Sequence, residues 1–176
     1  MISELPVTAD ISYEIFAMDQ KIEKNTLSPV DLAILRTIQE DATATLEQIA
    51  GTAGSSTASA WRRVKAMEDA GVITGRVAVL DPTKTGWPLC AFADVSLKDH
   101  SGDNRRSFER FVTSADEVME CHSLAGARDY LLKIRAPDIQ AYEAFLMERL
   151  LAHPAVASAS SSFSLRELKF TTALPV

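Results

Sequence analysis

The chain has 176 residues and 19.2 kDa, room for one compact domain or two small ones. Hydrophobic residues make up 47% and charged residues 24%, which excludes wholesale disorder and a collagen-like fibre. The net charge of -6, from 18 Lys+Arg against 24 Asp+Glu, excludes a surface that is basic throughout but not a local basic patch.

Residues 1–26 are a polar lead-in in which Ile11, Ile15, Met18 and Ile22 recur at helical spacing, either a short helix laid on the rest of the protein or a frayed extension. Ser28 then predicts a helix N-cap, with Pro29 at the first helical position and Asp31 in the first turn, where the helix dipole favours an acid. Leu32, Leu35 and Ile38 give this first helix an apolar face that ends near Asp41. Thr45 and Gln48 have the spacing of a capping box and open a very short second helix, with Leu46, Ile49 and Ala50, that stops at Gly54. Ser56 caps a third, whose positions Ala60, Trp61, Val64 and Met67 read as one apolar stripe, with Gly71 as C-terminal cap.

After Gly71 the period changes to two. Val72, Ile73, Val77, Val79 and Leu80 predict a strand that leads into a linker at Asp81-Pro82, and Thr83–Pro88 separates the helical front from the rest. The remainder reads strand (Leu89 to Leu97), helix (about Asn104 to Ala115), strand (Val118 to Leu124), strand (Tyr130 to Ile134), helix (from Pro137 to His153-Pro154) and strand (Val156 to Leu165). That order is the split βαβ, ferredoxin-like motif. The expected fold class is α+β. An N-terminal helix-turn-helix, winged-helix-like domain (27–75) follows the 1–26 extension and is joined by a β hinge (76–88) to a C-terminal ferredoxin-like βαββαβ domain (89–176).

No apolar run approaches the roughly 18 residues a membrane helix needs. The N-terminus lacks a basic stretch followed by an apolar core and a cleavage site, so a cytoplasmic protein is expected. Cys90 and Cys121, outside any CxxC pair, fit a reducing compartment.

Three short helices with a tight turn at Gly54 are the geometry in which a protruding helix enters the major groove of DNA. The non-core side of the third helix carries Ser55, Thr57, Ser59, Arg62 and Arg63. Arginine bonds guanine edges, and both arginine and serine hold phosphates. Within 27–75 the bases are Arg36, Arg62, Arg63 and Lys65, three of them within four consecutive positions, so contact would be directional. The same residues also fit two structural helices joined by a glycine, with a solvated charge pair.

The second half offers little for catalysis. His100, His122 and His153 have no second imidazole or carboxylate at metal-ligand spacing, so neither metal nor cofactor is expected. Cys121 and His122 are neighbours in a strand and point to opposite faces, and the serine-rich last strand contains no GxSxG elbow. No enzyme is expected. Helices shield one face of a four-stranded sheet, and Leu124, Tyr130 and Leu132 are expected to leave apolar surface on the other. Pairing with another copy would cover it and would present two recognition helices to two half-sites.

The run LSPVDLAILRTIQEDATATLEQIAGTAGSSTASAWRRVKAMEDAGVI resembles the DNA-binding domain of the Lrp/AsnC family, the leucine-responsive or feast/famine transcription regulators. The resemblance continues through VAVLDPTKTG, VMECHSLAGARDYLLKI, DIQAYEAFLMERLLAHPAV and SSFSLRELKFTTALP, nearly everything from Leu27 to Pro175. It implies a sequence-specific DNA-binding regulator of transcription that binds double-stranded operator DNA. It also implies a C-terminal domain that dimerises through its sheet, assembles further into tetramers or octamers, and binds an amino acid or related metabolite between dimers. By the same resemblance the recognition helix is Ser56 to Ala70, with Ser56, Thr57, Ser59, Arg62 and Arg63 facing DNA. The family's glycine-x-x-aspartate element falls on Gly126 and Asp129, which places the effector at the turn Ala125 to Tyr130, and Thr171 and Thr172 close that pocket from a neighbouring subunit. Asp129 would meet the ammonium and the glycine turn the carboxylate. Arg128 departs from the aromatic or apolar residue often found there; it either holds a second carboxylate or fills the site itself. The acidic balance of 27–75 keeps one alternative, a metabolite-binding oligomer whose front domain is not a DNA reader.

Overall fold

Capping chemistry sets the first three helices. In the computed structural model, which describes residues 27–176, α1 spans Pro29–Glu40, α2 Leu46–Thr52 and α3 Thr57–Asp69. The stripe at Ile11, Ile15, Met18 and Ile22 lies outside the described residues. At the head of α1, the Ser28 hydroxyl accepts the Asp31 N–H at 3.2 Å and the Asp31 carboxylate accepts the Ser28 N–H at 2.9 Å, a reciprocal box. Thr45 and Gln48 repeat it at α2, and Ser56 caps α3 by accepting from the Ser59 N–H. Gly54 has φ +61° and Gly71 φ +71°, the left-handed conformation that ends one helix and turns the chain toward its next segment. Ile34, Ile38, Ile49, Ala60, Val64 and Met67 form the shared core. Trp61, expected in that stripe, is 55% exposed. At about 100° per residue it stands off the Ala60–Val64–Met67 face, so the true stripe is narrower than its sequence reading.

The expected strand across 72–80 does not form; residues 76–88 run as irregular backbone and turns, with Val77, Val79 and Leu80 exposed. Alternating apolar residues favour extended chain, but a strand also needs a partner for its N–H and C=O groups. Among the described residues none is aligned with it. Asp81 instead organises a turn, its carboxylate accepting the Thr83 and Lys84 N–H groups.

From Leu89 onward the ferredoxin-like order is realised. Strands β1 (Leu89–Leu97), β2 (Val118–Ser123), β3 (Tyr130–Ala136) and β4 (Val156–Phe163) make one antiparallel sheet in the order β2-β3-β1-β4. Helix α4 (Gly102–Ser114) crosses between β1 and β2, and α5 (Ile139–Ala144) continues into a π-helical segment, Phe145–Leu150, between β3 and β4. Ala91, Ala93, Val95, Leu132 and Ile134 pack under Phe108, Val112, Tyr142, Phe145 and Leu150. Tyr130 and Leu132 therefore sit in the core and not on the open face as expected, while Leu124 is exposed. Period two settles the sides: Phe92, Asp94, Leu131, Lys133, Glu120 and His122 share the open face, and Lys133 bonds Glu120 across it at 2.7 Å.

The described chain divides into two compact units, one running to Ala78 together with the tail Lys169–Val176, the other Val79–Leu168. The tail was expected to belong with the second half. It joins the first because Gln39 recognises its backbone, donating to Leu174 O at 3.1 Å and accepting from Leu174 N–H at 2.7 Å, and Arg36 donates to Val176 O.

Candidate nucleic-acid interface and effector turn

Helix α3 presents two kinds of cation. Arg62 lies about 200° around the helix from Ala60, opposite the core, and forms no ion pair among the described residues. Ser56 and Thr57 are exposed at the N-terminus of the helix, Ser59 is half-buried, and Ser59, Arg62, Arg63 and Ala66 line a shallow concavity of about 260 Å³. Lys65 pairs with Asp69 at 2.9 Å one turn on, an exposed contact that water and salt readily replace. Arg63 differs: its Nη1 donates to Asp31 Oδ1 at 2.7 Å and to Ser28 Oγ at 3.2 Å. Sequence reasoning placed Arg62 and Arg63 together on one polar face; the fold separates Arg62, free toward solvent, from Arg63, bound to α1. It also missed Trp61, whose exposed indole adds an apolar surface to the same helix.

Burial alone pushes the Asp31 carboxyl up, but the Ser28 hydroxyl, the Arg63 guanidinium and the Ser28 N–H outweigh it and leave its pKa below the usual carboxylate range.

In the second unit, the turn between β2 and β3 carries Ala125, Gly126 and Arg128, all exposed, and ends at Asp129. The Asp129 N–H donates to Val95 O at 3.0 Å, and its Oδ2 accepts the Leu97 N–H at 2.7 Å, beside the register shift between Ser96 and Leu97. Asp129 Oδ1 remains, 3.6 Å from His100 Nδ1. Arg128 reaches Ser96 Oγ at 3.5 Å. Tyr130 is buried: its ring lies 4.8 Å from that of Phe108 in the core and its hydroxyl donates to Glu109. Thr171 and Thr172 belong to the tail of the other unit, where Thr171 Oγ1 accepts the Ala173 N–H. Cys121 pairs in register with Leu132 and His122 with Leu131, on opposite faces; burial pushes the Cys121 thiol up, away from the thiolate a nucleophile needs.

A helix-turn-helix followed by a ferredoxin-like sheet is matched part by part in known families. Residues 27–74 match a winged helix-turn-helix DNA-binding domain, and residues 90–174 match the Lrp/AsnC ligand binding domain. The DNA-binding transcriptional activator DecR of Escherichia coli K12 is 33% identical over 150 residues, which cover 85% of this chain and 99% of that protein. The chain belongs to the Lrp/AsnC family. The glutamate uptake regulatory protein of Zymomonas mobilis is 37% identical over 85% of this chain and 91% of its own. Among solved structures, a transcriptional regulator of Neisseria meningitidis in complex with L-Met matches with TM-score 0.82 and 37% identity, over 85% of this chain and 97% of that one. A feast or famine regulatory protein of M. tuberculosis complexed with L-methionine matches with TM-score 0.74 and 28% identity, over 84% and 98%. This Lrp/AsnC protein is thus a DNA-binding transcription regulator with a ligand-binding domain; its family is one of regulators, not enzymes. No helix among the described residues is long and apolar enough to cross a membrane.

Proposed function

We propose that this regulator reads operator DNA through the exposed face of α3 and adjusts its grip in response to an amino acid held at the Ala125–Asp129 turn, acting in the cytoplasm as a homodimer or a larger assembly of dimers. The observation that carries the reading is the exposed Arg62, unpaired among the described residues, on a capped helix whose opposite face is core. Arg62 is the candidate for guanine edges, Ser56, Thr57 and Ser59 for phosphates, and Trp61 for thymine methyl groups and sugars. The proposed front domain (27–75) and the sheet domain from 89 onward fall in different compact units, which meet at Ala78/Val79 within the 76–88 hinge, and the tail 169–176, expected with the sheet domain, groups with the front.

At the turn, Asp129 Oδ1 is the anion for an ammonium, since Oδ2 is already committed to Leu97. The N–H groups around Gly126 are donors for a carboxylate. Two relatives bound to methionine support an amino acid as effector, and the relative named for glutamate uptake supports amino-acid metabolism as the regulated field. Homodimers are supported by the exposed apolar hinge residues Val77, Val79 and Leu80 and by Phe92 and Leu131 on the open sheet face. A ligand between dimers changes assembly, and by linkage changes DNA affinity.

Thermal unfolding of the full chain against the individual amino acids tests the effector. At about a hundred times Kd a true ligand adds about 2.7 kcal/mol and raises the unfolding temperature by several degrees. In Asp129→Asn, which keeps an acceptor for the Leu97 N–H, that shift should vanish; a shift that survives removes Asp129 from the site.

A further inference from the structure

Arg63 is bound where a DNA-reading side chain would be free. Its Nη1 gives one hydrogen bond to Asp31 Oδ1 and another to Ser28 Oγ. Both acceptors belong to the cap of α1. Asp31 Oδ2 in turn accepts the Ser28 hydroxyl at 2.6 Å and the Ser28 N–H at 2.9 Å, while Ser28 Oγ also accepts the Asp31 N–H. Ser28 Oγ is then saturated, one donor and two acceptors in use, and the Asp31 side chain is only 16% exposed. Withdrawing Arg63 to a phosphate would leave Asp31 Oδ1, in a largely buried side chain, without its donor and open a closed network. Asp31 and Arg63 also line a pocket of about 230 Å³ together with Leu27, Met67 and Val72, so packing does not fill the space between the head of α1 and the middle of α3. The polar bridge joins the two helices there.

We infer that Arg63 is a positioning residue for DNA binding. Through Asp31 and Ser28 it fixes the angle at which α3 leaves the domain, and it makes no DNA contact itself. This rests on the reading of α3 as the helix that enters the groove. It makes an unusual prediction, because removing an acid beside a DNA-binding helix ordinarily strengthens binding. Here Asp31→Asn must weaken it.

The test uses the full-length protein and a duplex selected by it from a random library, titrated by anisotropy from about 50 to 200 mM salt. Arg62→Gln should weaken binding and relax the preference at the guanine it reads. Arg63→Gln and Asp31→Asn should each weaken binding by roughly threefold to tenfold with the slope unchanged. Their double variant should bind no more weakly than either single one, and Asp31→Glu, which keeps a carboxylate in the cap, should bind like the wild type. Circular dichroism checks that each variant is folded at the assay temperature. Should Asp31→Asn be melted there, Ser28→Ala, which removes the other acceptor of Arg63, takes its place with the same expected outcome. A tighter or unchanged affinity in the Asp31 or Ser28 variant, or in Arg63→Gln either a slope that falls by about one, as for a lost phosphate contact, or a relaxed preference at one base pair, as in Arg62→Gln, overturns the inference. If Arg62→Gln is also without effect, the assignment of α3 falls first and takes this one with it.

Discussion

One carboxylate, Asp31, completes the box at the head of α1 and receives a guanidinium from 32 residues away. Its pKa is lowered in the folded state against an ordinary value of 3.8, so its contribution to stability is fully present above that value. It is lost as pH falls through the lower folded value. Melting of the full chain followed between about pH 5 and pH 3 should therefore show a steeper loss for the wild type than for Asp31→Asn. Equal slopes would mean that the carboxylate is no better held in the fold than in the unfolded chain. The cap at Ser28 and Asp31 was legible in sequence because capping is a matter of three residues' spacing. The bridge to Arg63 was not, since a pairing between two helices leaves no periodic trace in either. Arg62 and Arg63 look alike as a dipeptide, and only their angular positions about α3 distinguish a free side chain from a bound one.

Among the elements, the helices and the four sheet strands were legible, because each has a period, a cap or a turn signal of its own. Two departures have definite causes. The 72–80 segment has the period of a strand but no aligned partner among the described residues, and the helix after Pro137 passes from α into π turns, with the Leu151 N–H reaching back to Leu146 O. That segment delivers Phe145 and Leu150 to the core and leads to His153, whose ring lies 5.9 Å from Phe108 and 5.2 Å from Phe111. Burial pushes the His153 pKa down from 6.5, and its Nδ1 accepts the Ala155 N–H, a bond that protonation there would break. The neutral ring stabilises the fold above about pH 6.5, and that contribution fades as pH falls below it. The second unit should accordingly melt at a lower temperature at about pH 5 than at pH 7. In His153→Gln the difference should shrink; an undiminished difference would assign the acid sensitivity to another group.

For the whole molecule, the hinge is where a single chain is least complete. Val77, at 78% exposed, and Leu80, at 68%, stand beside backbone with no ladder partner among the described residues, an arrangement that a second copy would satisfy. Replacing both by aspartate should shift the sedimentation equilibrium toward monomer without unfolding either unit, and an unaltered association constant would move the dimer contact elsewhere. The tail shows a second limit of sequence reading. Thr171 and Thr172 lie in a stretch that joins the front unit through backbone groups recognised by Gln39, and backbone recognition carries no residue code.

The central claim is that the outward face of α3 lies in the major groove. Dimethyl sulfate methylates guanine N7, an atom that only the major groove exposes, so methylation protection on the selected duplex probes that placement directly. The wild type should protect guanines at two sites about one helical turn apart, and Arg62→Gln should lose protection at one guanine of each site while the rest persists. Protection identical in the two proteins, or none at any guanine N7, would contradict the account.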